Sequence, residues 1–557
     1  DAAGNQPRFM PVKIKTDLTR DEVARIETWK VDMPGVAVET EILRTHVFGD
    51  MAAHLLGYIG EVTQTELPTL NKKGRRYSLG DYVGKAGIEK EMEAILRGRD
   101  GMEVVEVDAV GRRIRSKAKG RVLADSMDRP AVPGKNLILT IDQDLQRAAK
   151  EAFGDRSGSL VAIDPQTGEI LAMISRPSFD PTAFSRGVSP EIWNDLINNP
   201  NHPLRDKTVQ DHYMPGSVFK VVSAIAALEE GAIDDKTTFN CPGVIKLGRR
   251  LYHCHTRGGH GTVGIVQALK QSCDVFFYRL AQKLKSVDSL ANWAFKLGLG
   301  ARTGIALSRE VPGLIPTEAW KMDRFKKEWT AGETLSVAIG QSYVLTTTLQ
   351  LAQLYATVAN GGTTYRPHFT KAVESPEGQT LEEFGPEVVR KVALSPKTMQ
   401  VVGDGLFAVV NEPHGTAYGQ RIPGVDFLGK TGTSQVIRIA ADRIFQKCDS
   451  MPYRYRHHGV FAGFAPRKNP VIAVAVIAEH SCAGATGAAP IARAVIVKYL
   501  QKYHPELLQT ATAGALRPAP QPKAVIKGIE EDDQPAPDLG PDEGPNGDEI
   551  EQIPAED

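Results

Sequence analysis

From Val218 to Leu228 the chain is apolar at every position except Lys220 and Ser223. Apolar residues spread over all sides of a 3.6-residue repeat predict a helix buried all round, and Met214-Pro215-Gly216 supplies the turn that feeds it. Earlier in the chain, Leu160-Val161-Ala162-Ile163, the turn Asp164-Pro165-Gln166-Thr167-Gly168, and Ile170-Leu171-Ala172-Met173 read as a hairpin. A strand is expected from Asn136 to Ile141 and a helix from Gln143 to Phe153. Helical segments dominate from Pro190 to Asn360. Strands return at Asp426 to Ile437, Gly459 to Ala465 and Val471 to Glu479, followed by a helix from Pro490 to Tyr503. Early strands, a helical block, late strands and a closing helix describe an α+β fold, with helices packed on an antiparallel sheet.

The first 132 residues mix short signals. Arg8 to Ile14 alternates like a strand. Thr19 caps a helix with Glu22 three residues on, and Gly84-Lys85-Ala86-Gly87-Ile88-Glu89 leads into a helix ending near Arg97-Gly98. Met102 to Val110 reads as a half-exposed strand. No catalytic grouping stands out here, and His46 and His54 read as packing or surface histidines, so this part reads as a spacer or docking domain. Arg129-Pro130-Ala131-Val132-Pro133-Gly134 marks a boundary. The reading is therefore an N-terminal α+β domain over 1–132, a main domain over 133–508, and a disordered Pro-rich acidic tail over 509–557.

Composition changes this picture little. The 67 acidic and 67 basic residues balance only because the stretch from Glu530 onward has no Lys or Arg, so the body is net basic. No block is basic enough to suggest nucleic acid, and no run is long and apolar enough for a membrane span. The chain opens at Asp1 without Met and reads as a fragment.

Chemistry enters at the start of the buried helix. Ser217 and Lys220 stand at i and i+3, on one helical face, where a neutral amine can take the hydroxyl proton and make Ser217 a nucleophile. A second Ser-x-x-Lys, Ser116 to Lys119, sits in a polar basic run with no buried helix behind it. Ser272-Cys273-Asp274 precedes an aromatic run, and Lys430-Thr431-Gly432-Thr433-Ser434 lies on a predicted strand. Single triplets are weak signals, since Ser286-Val287-Asp288 and Arg302-Thr303-Gly304 nearly match too. The ordered set is the strong one.

The five cysteines raise two further expectations. Cys241, Cys254, His260 and Cys273 have four soft ligands at a spacing that suits a closed tetrahedral zinc site, with His260 preferred to His255. A Cys241–Cys254 disulfide or three buried thiols are the alternatives. Cys448 and Cys482 flank the Gly459–Glu479 hairpin and meet as a disulfide or remain two free thiols.

The three motifs resemble those of the penicillin-recognising acyl-serine enzymes. Asp164 to Gly168, Arg176-Pro177-Ser178-Phe179-Asp180-Pro181, Gly340-Gln341 and Gly459 to Pro466 look like class B penicillin-binding proteins. Ser-x-Asp in place of Ser-x-Asn, Pro34-Gly35-Val36 and Gly84 to Glu89 are similar to the cell-elongation members, penicillin-binding protein 2. The resemblance runs from about Arg8 to Tyr503. It implies a transpeptidase fold, an antiparallel sheet with helices on both sides and an all-helical subdomain, behind an N-terminal pedestal of the dimerisation type. It implies peptidoglycan D,D-transpeptidation with Ser217 as nucleophile, Lys220 as base, Ser272 as proton relay, Asp274 as the charge holding Lys220, and Lys430, Thr431, Gly432, Thr433 and Ser434 on the substrate carboxylate. β-Lactams are then inhibitors. A membrane glycosyltransferase and a periplasmic scaffold are the implied partners, and an upstream anchor places the domain on the periplasmic face of the inner membrane. The rivals are a D,D-carboxypeptidase, a serine β-lactamase, a non-catalytic β-lactam-sensing receptor, and a scaffold with a relic site.

Overall fold

In a computed structural model describing residues 14–33, 35–40, 44–72, 77–102, 129–437 and 446–509, Thr19 and Glu22 form a reciprocal cap at the start of α1 (Arg20–Trp29). Glu22 N–H donates to Thr19 Oγ1 at 3.3 Å and Thr19 N–H to Glu22 Oε2 at 2.9 Å, satisfying two orphan donors of the first turn. The expected strands Arg8–Ile14 and Met102–Val110, apart from Ile14 and Met102 themselves, lie outside the described residues, as do the Ser116–Lys119 pair and the tail from 510. The chain forms two units. The first comprises Asp1–Ile138, Phe179–Leu196 and Ala372–Glu383. In it, β1 (Ile59–Glu61) pairs antiparallel with β2 (Tyr82–Gly84), over a small core of Val62, Tyr77 and Val83. His54 packs edge-on against Phe179 at 5.1 Å, and the His46 N–H donates to Thr182 Oγ1. The His54 ring serves packing, and the His46 contact is made by its backbone N–H.

The second unit holds the sheet. Its elements are α2 (Gln143–Phe153), β3 (Gly158–Ile163), β4 (Ile170–Arg176), α3 (Lys220–Glu229), β5 (Thr238–Cys241), β6 (Val244–Leu247), β7 (Arg250–His253), β8 (Gly261–Gly264), α4 (Asp274–Ala281), α5 (Ala331–Ala338), α6 (Thr348–Ala359), α7 (Pro396–Asn411), β9 (Leu428–Ser434), β10 (His458–Ala465), β11 (Ile472–Ala478) and α8 (Ala489–Tyr503), with shorter pieces between. Five strands pair in the order β9-β10-β11-β3-β4, all antiparallel. Leu160 and Ala162 of β3 share one core with Val474 and Val476 of β11, Leu145 and Phe153 of α2, and Ile491 and Val495 of α8. Ser159, facing the other way, bonds Thr348 at the start of α6 at 2.6 Å. Helices thus cover both faces. That is why β3 and β11 are apolar at nearly every position rather than alternately: a strand covered twice has no wet side.

The helical block between β4 and β9 carries more strand than its pattern announces. β5 pairs with β8 and β6 with β7, two four-residue ribbons that bracket Cys241 and Cys254.

Candidate active site

Gly216–Phe219 forms a 3-10 turn that runs into α3 at Lys220. Val218, Phe219 and the α3 residues through Ala227 are buried, while Ser217 is half-exposed. The turn is pressed onto β9. Gly216 has φ +54°, and a Cβ there would stand 2.4 Å from the Thr433 carbonyl oxygen, so only glycine fits. A Cβ on Gly432 would meet Pro215 O at 2.7 Å. These contacts set Ser217 beside Thr433.

Beneath Ser217 the predicted groups converge. Lys220 Nζ, fully buried, donates to Ser272 O at 2.9 Å and lies 3.3 Å from Ser272 Oγ. It pairs with Asp274 Oδ1 at 2.7 Å. Lys430 Nζ, also buried, reaches Ser272 Oγ at 2.9 Å and donates to Thr431 O at 3.0 Å. Burial alone would raise the Asp274 carboxyl, but the Lys220 charge, helped by His255, holds it far below the ordinary carboxylate value. Burial, then the Lys220 ammonium, pushes Lys430 well down against the pull of Asp274. Ser272 sits at φ +53°, an uncommon state for serine that aims its carbonyl at Lys220. Among the described residues no hydrogen bond joins Lys220 Nζ to Ser217 Oγ, because the amine is turned to Ser272 and Asp274. Such contacts often tighten only when substrate binds.

Among the described residues β9 is an edge strand, so one side of its backbone lacks a strand partner. Thr431 O takes Lys430 Nζ, and Thr433 O takes Gln341 Nε2 at 2.9 Å. In an antiparallel ladder a residue's N–H and C=O point the same way, so Thr433 N–H also faces this free edge. Thr431 Oγ1 bonds Thr416 Oγ1 at 2.7 Å, Gly432 is buried, and Ser434 is buried opposite His458. Of the predicted motif, Thr433 alone is half-exposed beside Ser217.

Next to this set, Cys241, Cys254, His260 and Cys273 bring four ligand atoms within 4.8 Å of one another. Cys241 and Cys254 Sγ lie 3.6 and 3.5 Å from His260 Nδ1. A tetrahedron with metal bonds of about 2.0–2.3 Å has edges of roughly 3.3–3.8 Å, which the two sulfur–nitrogen separations match, and three cysteines with a histidine are a donor set that suits zinc. Thr256 Oγ1, 3.2 Å from His260 Nε2, supplies the outer partner that a ligating histidine usually has. His255 instead meets Asp274: its backbone N–H donates to Oδ2 at 3.0 Å, and its ring Nδ1 lies 3.5 Å from the same oxygen. A Cys273 hydrogen bond holds the Cys254 thiol down, while the same contact pushes Cys273 up. The three cysteines are free, and no Cys241–Cys254 disulfide forms. Cys448 and Cys482 are bonded, with Cα atoms 5.6 Å apart.

Two groupings escape a sequence reading. Lys207 Nζ is buried against Glu479 Oε2, which also takes Ser157 Oγ–H, while Tyr213 donates to Glu479 Oε1 at 2.7 Å. Burial would raise this carboxyl, but Lys207, then His458, lowers it to about 2. The other is the pairing of Gln341 with Thr433 and of Gly340 with Gly216, a role the family likeness of Gly340-Gln341 did not convey.

An acyl-serine grouping on an antiparallel sheet of this order defines a class, the penicillin-recognising transpeptidases. Residues 158–497 match the penicillin-binding protein transpeptidase domain, and residues 2–139 the penicillin-binding protein dimerisation domain. The chain belongs to the class B penicillin-binding proteins, in their penicillin-binding protein 2 (MrdA) branch. The peptidoglycan D,D-transpeptidase MrdA of Haemophilus influenzae is 32% identical over 509 residues, covering 90% of this chain and 76% of the relative. The structure of Pseudomonas aeruginosa penicillin-binding protein 2 in complex with WCK 5153 is 31% identical. It aligns with a TM-score of 0.69 over 86% of this chain and 94% of that one. Helicobacter pylori penicillin-binding protein 2, solved in complex with MreC, is 26% identical, with a TM-score of 0.69 over 87% and 83%.

Proposed function

We infer that this chain is a peptidoglycan D,D-transpeptidase that cross-links stem peptides through an acyl-serine intermediate. One observation carries the reading: Lys220, Ser272, Asp274 and Lys430 form a single buried hydrogen-bonded set under the half-exposed Ser217 and beside the free edge of β9. Lys220 serves as the base that takes the Ser217 proton as Oγ attacks the carbonyl of the penultimate D-Ala. The N–H groups of Ser217 and Thr433 receive the oxyanion, each such donor being worth about 3–4 kcal/mol. The C–N bond then breaks, and Ser272 passes a proton to the departing D-Ala amine while taking the one held by Lys220, 3.3 Å away. An amine of a second stem then gives a proton to Lys220 and attacks the ester, the C–O bond breaks, and that proton restores the Ser217 hydroxyl. The half-exposed Thr433 hydroxyl would face the terminal carboxylate with the buried Lys430 behind it, while the expected Thr431 hydroxyl is already bonded to Thr416. A β-lactam follows the first half of this path and leaves Ser217 acylated.

The same reading assigns a structural zinc ion to Cys241, Cys254, His260 and Cys273. A closed four-ligand site contributes folding energy and takes no part in the reaction steps. Cys273 is the middle residue of Ser272-Cys273-Asp274, so an ion held there would fix the loop that meets Lys220. A periplasmic scaffold and a membrane glycosyltransferase are the proposed partners, the MreC complex of the Helicobacter relative supporting the first. Action at the periplasmic face of the inner membrane, with a membrane anchor, belongs to the same proposal. No helix among the described residues is long and apolar enough to cross a membrane.

The test is intact-mass measurement after incubation with a penicillin. One adduct on Ser217 that persists for hours, absent in Ser217→Ala, is expected, and Lys220→Ala should slow its formation by roughly 100- to 10 000-fold. Rapid loss of the adduct in water would favour a β-lactamase. Release of D-Ala from a stem pentapeptide without capture of an added acceptor amine would favour a carboxypeptidase.

A further inference from the structure

The two N–H groups assigned to the oxyanion belong to different parts of the chain. One lies on the turn before α3 and the other on β9, and something must fix the gap between them. The turn after α5 meets both. Gly340 O accepts the Gly216 N–H at 2.9 Å. Gly340 itself has φ +71°, and a Cβ there would sit 2.2 Å from Gly216 O. Gly216 O is the other end of the peptide unit whose N–H belongs to Ser217. Contact at the oxygen therefore fixes the direction of that N–H, because the unit is planar. On the second side, Gln341 Nε2 donates to Thr433 O at 2.9 Å. The preceding unit is held too, since Gly432 O accepts the Gly484 N–H at 3.1 Å, and its far end is the Thr433 N–H.

The turn is rigid enough to act as a gauge. Gly340 N–H donates to Val337 O and Gln341 N–H to Ser336 O, at 2.8 and 3.1 Å. Ser223, the second polar exception in the apolar run of α3, donates from Oγ to Ala338 O at 2.7 Å, tying the Lys220 helix to the same turn. Two further features set the turn apart. Ser342 is held at φ +68°, a costly state for a non-glycine residue. Gln341 Oε1 is buried without a partner, a defect that ordinarily costs about 1–3 kcal/mol. A side chain kept at that cost is retained for what its other end does.

We propose that Gly340 and Gln341 are positioning residues which set the separation and aim of the two oxyanion-hole donors, Ser217 N–H and Thr433 N–H. The proposal rests on the acyl-serine reading above and adds a function for a turn that touches neither Ser217 Oγ nor Lys220 Nζ. Gln341→Met keeps the length and removes the Nε2 donor together with the orphan acceptor. Stability should then hold or rise while chemistry falls, a split that a merely structural role would not produce.

The test measures penicillin acylation of the full chain by rapid mixing over a range of concentrations, separating the binding constant from the acylation rate. The acyl-enzyme carbonyl stretch is recorded in parallel with a penicillin labelled with carbon-13 at the lactam carbonyl. Gln341→Met should lower the acylation rate about 10- to 100-fold, with the binding constant within about threefold, since one donor is misaimed rather than removed. Its carbonyl band should move to higher frequency as the hydrogen bond to the ester oxygen weakens, with an unchanged or higher Tm. Gln341→Glu, which also lacks the donor, should show the same kinetic split and serves if the Met variant folds poorly. An acylation rate and carbonyl band equal to wild type in either variant overturn the proposal. So does a rate loss matched by equal losses of binding and Tm. If the wild type itself is not labelled at Ser217, the acyl-serine reading has failed. Labelled wild type with normal Gln341 variants sinks this inference alone.

Discussion

Lys220 and Asp274 form an ion pair 2.7 Å long in which the lysine side chain has no exposure to solvent. The second carboxylate oxygen is taken by the His255 N–H at 3.0 Å, so Asp274 cannot swing away to follow another partner. The pair fixes where the amine of the base lies, close to Ser272 and below Ser217.

Asp274→Asn should therefore slow penicillin acylation at Ser217 by about 10- to 100-fold, since a misplaced base loses part of its usual 100- to 10 000-fold contribution. Denaturant melts should register a loss of roughly 3 kcal/mol for a buried lysine left without its counter-charge. Normal acylation in a folded Asn variant would remove Asp274 from the mechanism.

Glu479 offers a test in pH. Its carboxyl is lowered from 4.5 to about 2 by Lys207 and His458 in spite of burial. A folded value below the unfolded one means that its stabilisation is complete above about 4.5 and is lost as the pH falls towards about 2. Urea melts at pH 7, 4 and 3 should show that decline in the wild type and a flatter profile in Glu479→Gln. At pH 7 the variant should be less stable by about 3–5 kcal/mol, because Lys207 is left buried and unpaired.

Protein purified without a metal-affinity tag should carry one zinc per chain by elemental analysis. Removing it with a strong chelator, or replacing Cys241 by Ser, should lower Tm and slow acylation together, because Cys273 lies between Ser272 and Asp274. A metal-free preparation with full stability and a normal acylation rate would dispose of the site.

The Cys448–Cys482 bridge closes a loop of 34 residues that contains β10 and β11. By the loop-entropy relation its removal in Cys448→Ser should cost about 3–4 kcal/mol. The matching readout is a lower Tm for the wild type in reductant, with no such response in the variant.

Much of this was legible because burial leaves a plain mark on sequence. Sheet strands covered on both faces appear as unbroken apolar runs, and Gly459–Ala465 and Val471–Glu479 fall within a residue of β10 and β11. The Ser217–Lys220 pair was visible as polar residues opening an apolar helix. The ribbons β5 to β8 were not, since strands of four residues with Lys246 and Arg250 among them carry almost no periodicity. Nor was Lys207 with Glu479, or Gln341 with Thr433. These partners lie 272 and 92 residues apart and meet only because the sheet and α3 bring them together. A local pattern records which face is buried, not which distant carbonyl a carboxamide will find.

The open edge of β9 has one more consequence, for what this protein refuses. An unpaired strand edge is where a second copy or any extended chain adds on, and it is a common route to aggregation. Here the outward carbonyls of Thr431 and Thr433 are already occupied by Lys430 and Gln341. A visiting β-strand needs donors and acceptors in alternation, and here it must share each outward carbonyl with a side chain already bonded to it. What fits is a short chain rich in acceptor oxygens, a carbonyl followed by a carboxylate. The edge is stoppered against its own kind while remaining open to the end of a peptide.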